Sequence, residues 1–508
     1  VTRRSISRIV TGLADADPDR IVAVADEGAL TAGELDRESA RLARAYRELG
    51  VRTDDLVTVS LPNSLDALVV CAAIWKAGAV PQPVSTGLSA AERAEVERIA
   101  RPALVIGAPA SSSAAVPWRA GDWRPGPEVP AGPLEDRWAS SWKAPTSSGS
   151  TGRPKVVLAA GPALLDPEAP VAPFLPREGV QLVSGPLMHS ATFTYSFRGL
   201  MTGQRLVLLP RFDAARVLAA IEEHRVTWTL LVPTTIRRLM AAPERSRTDV
   251  SSLATVLHLG APCAPADKRA LIGWLGPERV VEVYAGSESN GLTMITGREW
   301  LERPGSVGRP IGGTTLRILR EDGTEAPTGE LGRIWLHRGE APAYRYLGAG
   351  SRRTEEGWDT LGDVGRVDGD GWLWVVDRAD DLILRGGVSV WPAEVERVLE
   401  ALPGVRGAVA FGVPDAELGQ AVEAVVDVGE ADADPAGLLA RANAELGAER
   451  RLRALRIVHE PVRSDAGKVR RSALAPAAET LGIRRSAGAP DGPEWAQRPR
   501  APTPRETR

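Results

Sequence analysis

VVEVYAGSESNG, Val280–Gly291, changes character halfway along. Its first half is β-branched and aromatic, as a short buried strand is, and its second half is small and polar around one acid, Glu288. Other runs behave in the same way. TWTLLVP (Thr227–Pro233) leads into Thr234 and Thr235, and TVLHLG (Thr255–Gly260) leads into Ala261-Pro262-Cys263. RLVLLP (Arg205–Pro210) is a further run of this kind, and helical stretches separate them. Strands of this type with helices between them predict a largely parallel sheet, and ligands of open α/β sheets bind beyond the carboxyl ends of the strands. Taken singly, each such end is an ordinary strand-to-helix turn; here small and polar residues gather at all of them.

The chain has 508 residues, more than one core ordinarily holds, so at least two domains are expected. It is 43% hydrophobic without a run of about 18 apolar residues, which predicts a globular protein with no membrane-spanning helix. The opening VTRRSISRIVTGLADADPDR has no apolar signal core. Cys71 and Cys263 are the only cysteines. They supply neither a disulfide framework nor a zinc site, and the expected setting is a reducing cytoplasm. A net charge of −3 offers no field for nucleic acid.

Upstream, TAGELDRESARLARAYRELG pairs Thr31 with Glu34 as a capping box, puts Leu35, Leu42, Tyr46 and Leu49 on one face, and stops at Gly50. LVTVSL follows as a strand and SLDALVVCAAIWKAG as a buried helix. After Ile311 the pattern changes: TLRILREDG and ELGRIWLHRG read as antiparallel strands with glycine turns. WPAEVERVLEAL is a helix with Pro392 near its start, and GAVAFGVPD, QAVEAVVDVG, AGLLARANAEL and ALRIVHE complete a compact α+β unit. The fold class is therefore α/β with an α+β C-terminal part. The expected domains are a large N-terminal one (1–379), a small one (380–480) and a Pro- and Arg-rich disordered tail (481–508).

The chemistry starts at TSSGSTGRPK, Thr146–Lys155. A polyphosphate needs donors at close range. Gly149 and Gly152 open the backbone, Thr146, Ser147, Ser148, Ser150 and Thr151 add hydroxyls, and Lys155 adds a point charge. Arg153 and Pro154 stand between Gly152 and Lys155, so this is not a Walker A loop. A flexible Ser/Gly linker would use similar residues, but the Pro-Lys ending and the apolar VVLAA after it argue against a linker.

The loop is similar to the signature of the AMP-forming adenylating enzymes, the superfamily of acyl- and aryl-CoA synthetases, luciferases and peptide-synthetase adenylation domains. The resemblance runs from about Thr31 to Leu474, and five further motifs follow in the family's order: PLMHSATF, YAGSE, WDTLGD, DRADDLILRGGVSVWPAEVE and SDAGKVRR. It implies a large adenylation domain and a small mobile C-terminal domain. It also implies a reaction in which a carboxylate attacks the α-phosphorus of ATP, pyrophosphate leaves, and the acyl adenylate passes to a thiol such as CoA. Both reactants are anions, so positioning and charge neutralisation carry such a reaction.

Residue by residue, the resemblance implies that Glu288 holds Mg²⁺ with Ser147, Ser287 and the loop Thr146–Lys155 around the phosphates. Asp363 accepts the ribose hydroxyls with Arg378 in support, and Tyr284, Ala285, Gly260, Ala261 and Pro262 pack at the nucleotide. Lys468 bridges the attacking oxygen and the α-phosphate, and Asp380 is the hinge about which the small domain turns. His189 borders the carboxylate in the family; a packed core histidine fits the sequence equally well. Met188, Phe193, Val232, Thr234, Cys263 and Gly291 are the expected lining of the acid pocket, and Phe193, Tyr195 and Phe197 fit either a pocket or a core.

The chain departs from the family wording at Ala285, Leu361, Ser389 and Trp391. None of these removes a catalytic group, but Trp391 stands on the face implied for the thiol. Asp377 ahead of Arg378 resembles the fatty-, bile- and aryl-acid CoA ligases, and no pantetheine attachment site follows the small domain. The first expectation is a carboxylate–CoA ligase. The alternatives are an enzyme that loads a separate carrier protein, and a diazotase-type member of secondary metabolism that activates nitrite and diazotises an aryl amine.

Overall fold

A computed structural model describes residues 3–108, 116–148, 154–431, 433–463 and 471. The helix Ala32–Glu48 begins where its sequence puts it: Thr31 Oγ1 accepts the Glu34 amide at 3.2 Å and the Glu34 carboxylate accepts the Thr31 amide at 2.9 Å. Leu35, Leu42 and Tyr46 are buried along one face, and Gly50 takes the left-handed conformation that turns the chain away. It packs on Leu65–Ala77, a helix whose residues from Ala67 onward are all buried and which Ser64 caps and Gly78 ends. This helix pair covers a four-stranded parallel sheet built on Leu56–Ser60.

The main sheet has nine strands. Its parallel middle runs Val280–Ala285, Thr255–His258, Trp228–Leu231, Val180–Val183, Arg205–Leu208 and Ile21–Ala25 in that spatial order. Antiparallel strands close both edges. The β-branched runs are therefore central strands, and Ile21–Ala25, from far upstream, completes the parallel set. The carboxyl ends of Trp228–Leu231, Thr255–His258 and Val280–Ala285 lie side by side, because each is in register with its neighbour (Leu231 with His258, His258 with Glu282).

Two antiparallel sheets stand over those ends. In one, Pro154–Ala159 lies between Thr146–Ser148 and Tyr344–Leu347, so the strand leaving the hydroxyl-rich loop is paired on both sides. In the other, Thr315–Leu319, Gly332–His337, Asp363–Val367 and Leu373–Arg378 run in order, with Asp363 directly opposite Arg378.

Sheet membership changes at one turn. Leu373–Arg378 belongs to the large part, Ala379–Asp381 forms a single 3-10 turn, and Ile383–Arg385 belongs to a separate five-stranded sheet. That sheet packs against the helices Pro392–Glu400 and Pro435–Leu446 around Ile383, Val395, Leu399, Val422, Val426 and Leu438. The two parts touch through Arg237 of the large part. It donates to Asp267 at 2.8 Å, to Glu400 of the small part at 3.2 Å, and to the backbone carbonyl of Arg406. The tail 481–508 lies outside the described residues.

Candidate active site

A cavity of about 3040 Å³ opens between the strand ends, the two antiparallel sheets and the small part. Lys155, Glu288 and Tyr346 meet on its wall. Lys155 stands on Pro154–Ala159, Tyr346 on the neighbouring strand Tyr344–Leu347, and Glu288 in the loop after Val280–Ala285. Lys155 Nζ donates to Glu288 Oε1 at 3.0 Å and to the Tyr346 hydroxyl at 2.7 Å, and Tyr346 donates to the same Oε1 at 2.5 Å. The ammonium also lies 4.0 Å from the Tyr346 ring centre. Burial alone would raise the Glu288 carboxyl, but the charge of Lys155 and these hydrogen bonds outweigh it and hold the group below the usual range.

One buried carboxylate with two hydroxyl-bearing neighbours, Ser147 and Ser287, on the same cavity wall is a poor metal cage by itself. Among the described residues no three His, Cys, Asp or Glu side chains cluster as a full ligand set. Mg²⁺ brought in by a polyphosphate needs only one or two protein carboxylates, and Glu288 fits that requirement.

Farther along the wall, Tyr284 donates to Asp363 Oδ2 at 2.7 Å, and Arg378 Nε lies 3.4 Å from Asp363 Oδ1. The sheet register that opposes Asp363 and Arg378 makes this pair. Burial pushes the Asp363 carboxyl up, against the pull of Arg378 and Tyr284. A carboxylate buried with so few donors gains from further hydroxyl donors, as a diol supplies. Gly260, Ala261 and Pro262 line the cavity beside Tyr284 and Ala285. Gly260 has φ +95°, which a side chain would strain.

The remaining wall holds His189, Val232, Thr234, Cys263 and Gly291, all lining the cavity. The buried hydroxyl of Thr234 has no partner among the described residues. Two expected lining residues are elsewhere. Phe193 is 1% exposed and stacks with Phe197 and Trp75 in the core, because helix Ser190–Met201 turns those positions inward; Tyr195, on its other face, reaches the cavity. Met188 does not line the cavity either. Nor does Thr146, whose hydroxyl accepts from Gln82 at 3.3 Å inside the strand layer. His189 stands at the residue before Ser190–Met201, with no side-chain capping bond to that helix, and lines the cavity. Gly149, Ser150, Thr151, Gly152 and Lys468 lie outside the described residues, as does the side chain of Ser148.

Three side chains on this wall were not singled out from the sequence. Tyr346 could have been found from the alternation YRYL, which puts Tyr344 and Tyr346 on one face of a strand. Lys143 sits in WKAP just ahead of the loop, a lone cation in an apolar run. Its Nζ donates to Ser190 Oγ at 2.8 Å and to Thr194 Oγ1 at 2.6 Å. Burial lowers it to about 7 against the weaker opposing influence of Glu288. Arg198 had no signal beyond helical spacing from Ser190 and Thr194.

At the junction of the two parts, Asp377 accepts the amide of Ala393 at 2.7 Å, at the start of Pro392–Glu400. Asp380 lies in the 3-10 turn, 3.5 Å from Arg352, and Asp381 pairs with Arg471. Arg471 also binds Glu396 at 2.8 Å and the carbonyl of Ala410 at 3.1 Å, so the end of the SDAGKVRR motif is tied to the small part. Trp391 precedes Pro392 at the helix entrance.

Residues 12–347 match the family model described as AMP-binding enzyme. The chain is 34% identical over 417 residues to feruloyl-CoA synthase from Amycolatopsis sp. and from Streptomyces sp., covering 78% of this chain and 83% of each of those. It is 28% identical over 434 residues to the long-chain-fatty-acid–CoA ligase FadD13 of Mycobacterium tuberculosis, over 78% of this chain and 83% of that one. The solved structure of the amide bond synthetase McbA from Marinactinospora thermotolerans superposes with a TM-score of 0.76 at 26% identity, covering 94% of this chain and 100% of that one.

Proposed function

The chain belongs to the AMP-binding enzyme family of adenylate-forming proteins, and from that premise we propose that it is an AMP-forming ligase joining a fatty, bile-type or aryl carboxylic acid to CoA. The convergence of Lys155, Glu288 and Tyr346 with the Asp363–Arg378 pair on one cavity wall carries this reading.

The residues divide the work. Asp363 accepts the ribose hydroxyls and Tyr284 borders the base, which fixes the nucleotide along the wall. Lys155 turns from Glu288 to the incoming phosphates, and Tyr346 keeps the carboxylate in place when it does. Mg²⁺, when bound, neutralises phosphate charge, with Glu288 as its protein carboxylate and the hydroxyls of Ser147 and Ser287 at hand. The acid's carboxylate oxygen bonds to the α-phosphorus, the bond to the bridging oxygen breaks, and pyrophosphate leaves. Lys468, delivered by the small domain (380–480), meets the charge that builds on the attacking and non-bridging oxygens. His189 borders the carboxylate. The small domain then turns about Asp380 in the 3-10 turn, breaking the Arg352 pair, and the CoA sulfur bonds to the acyl carbon as its bond to the phosphate oxygen breaks and AMP leaves. The free thiols of Cys71 and Cys263 are in keeping with a cytoplasmic enzyme. The test is mass spectrometry after incubation with ATP, Mg²⁺, CoA and an acid pool. An acyl-CoA formed with one equivalent of AMP supports the reading; ATP turnover without any acyl-CoA removes CoA as acceptor.

A second reading keeps the adenylation and replaces the thiol by nitrogen. An amine would take the acyl group, or activated nitrite would diazotise an aryl amine. The 26% identity to an amide bond synthetase and the bulk of Trp391 on the face implied for the thiol favour it. A carrier-protein thiol would instead keep the sulfur chemistry and would show as an acylated carrier protein. Repeating the incubation with amines in place of CoA separates these outcomes by product mass.

A further inference from the structure

Helix Ser190–Met201 presents Ser190, Thr194 and Arg198 at four-residue intervals, one stripe along one face. Lys143 lies against that stripe, 4% exposed, with two of its three N–H bonds spent on the Ser190 and Thr194 hydroxyls. Among the described residues neither Lys143 nor Arg198 has a carboxylate at ion-pair distance; Glu288, whose charge acts on Lys143, is bound to Lys155 instead. The groups that act on Arg198 are Tyr195 and Arg338, and Arg338 is itself a cation. Lys143, Thr194 and Arg198 line the main cavity and also a side pocket of about 190 Å³, whose wall includes Ser287 and Ser289 on either side of Glu288. That volume holds a carboxylate arm, since a water needs roughly 30 Å³.

Buried cations lose hydration, and hydroxyls and the Trp142 ring, 5.1 Å from the Lys143 ammonium, offset that loss less than a counter-charge does. A ligand that brings the anion supplies that counter-charge. The acid's reacting carboxylate is committed to the α-phosphorus, so the anion in this side pocket is a different group. We propose that Lys143, with Arg198, forms a buried anion subsite that selects acids carrying a second carboxylate, held there while the first is adenylated. This deepens the ligase reading and rests on it. The third N–H of Lys143 and the guanidinium of Arg198 bind the second carboxylate, and Ser190 and Thr194 orient the ammonium.

The test uses the full-length protein and matched pairs of acids: butyrate with succinate, hexanoate with adipate, benzoate with isophthalate. Acid-dependent pyrophosphate release gives kcat/KM for each, and calorimetry gives the affinity of the diacid without ATP. At least one diacid should be preferred over its monoacid. That preference should fall by roughly 10- to 100-fold in Lys143→Met, the range for a hydrogen bond to a charged group. Arg198→Gln, at a half-buried position, should reduce it in the same direction, which keeps the test open if Lys143→Met does not fold. Diacids that never exceed monoacids overturn the subsite, and so do variants that slow both members of a pair equally. If no acid releases pyrophosphate, the ligase reading fails, while calorimetric diacid binding that is lost in Lys143→Met would still support the subsite and its absence would refute it.

Discussion

The two ends of the cavity treat charge differently. At the phosphate end, Lys155 is paired with Glu288 and Arg378 with Asp363, each carboxylate also bonded to a tyrosine. At the acid end, Lys143 bonds two hydroxyls and lies 5.1 Å from the Trp142 ring centre, and neither it nor Arg198 has a carboxylate at ion-pair distance among the described residues. On the proposed function the first arrangement binds by exchange: an arriving triphosphate would take Lys155 over and leave Glu288 to Mg²⁺. On the proposed subsite the second would bind by completion, with the ligand bringing the anion. Exchange suits a ligand that every member of the family shares, and completion suits the part that differs between members.

The sharpest way to break the contrast is to remove the cation that the proposed mechanism assigns to the small domain. Lys468→Ala should cut acid-dependent pyrophosphate release by about 10³-fold, the scale of a transition-state charge partner, while equilibrium ATP binding stays close to wild type. Next in size, Glu288→Gln leaves Lys155 without its counter-ion and makes the phosphate end resemble the acid end. Turnover should fall about 10²-fold and the Mg²⁺ concentration for half-maximal rate should rise, as a Mg²⁺ titration of pyrophosphate release will show. A milder change is Asp363→Asn. It should raise the KM for ATP roughly 10-fold and erase the preference for ATP over 2′-deoxy-ATP.

A further effect concerns stability and belongs to Lys143. Burial lowers it to about 7 in the folded chain against an ordinary value near 10.5. Between those values the unfolded chain holds a proton that the folded chain lacks, so this group's contribution to stability rises with pH across that window and is most unfavourable below pH 7. Wild type should therefore gain on Lys143→Met as pH goes from 7 to 9, by up to about 1.4 kcal/mol per pH unit in urea unfolding. A gap between the two proteins that does not change with pH would show that Lys143 keeps its charge throughout.

Much of this was legible before any coordinates. The β-branched runs ending in small residues are the central strands, and Thr31, Glu34, Ser64 and Pro392 mark helix starts by local chemistry alone. Local patterns do not reveal what packs across the chain. Ile21–Ala25 joins the main sheet through pairing with Arg205–Leu208, and Tyr346 reaches Glu288 only because its strand lies beside the one that carries Lys155. Sequence order leaves Phe193 fitting either a pocket or a core, and only the turn of its helix toward Trp75 decides for the core. Lys143 was passed over because nothing in WKAP says that its neighbours are the hydroxyls of a helix some fifty positions later.

The central claim is that ATP is cut between its α- and β-phosphorus atoms through a reversible acyl adenylate. Exchange of labelled pyrophosphate into ATP measures this directly. The account predicts exchange that appears only when an acid substrate is present and that is lost in Lys468→Ala. Acid-dependent release of ADP and orthophosphate, with no label entering ATP, would contradict it.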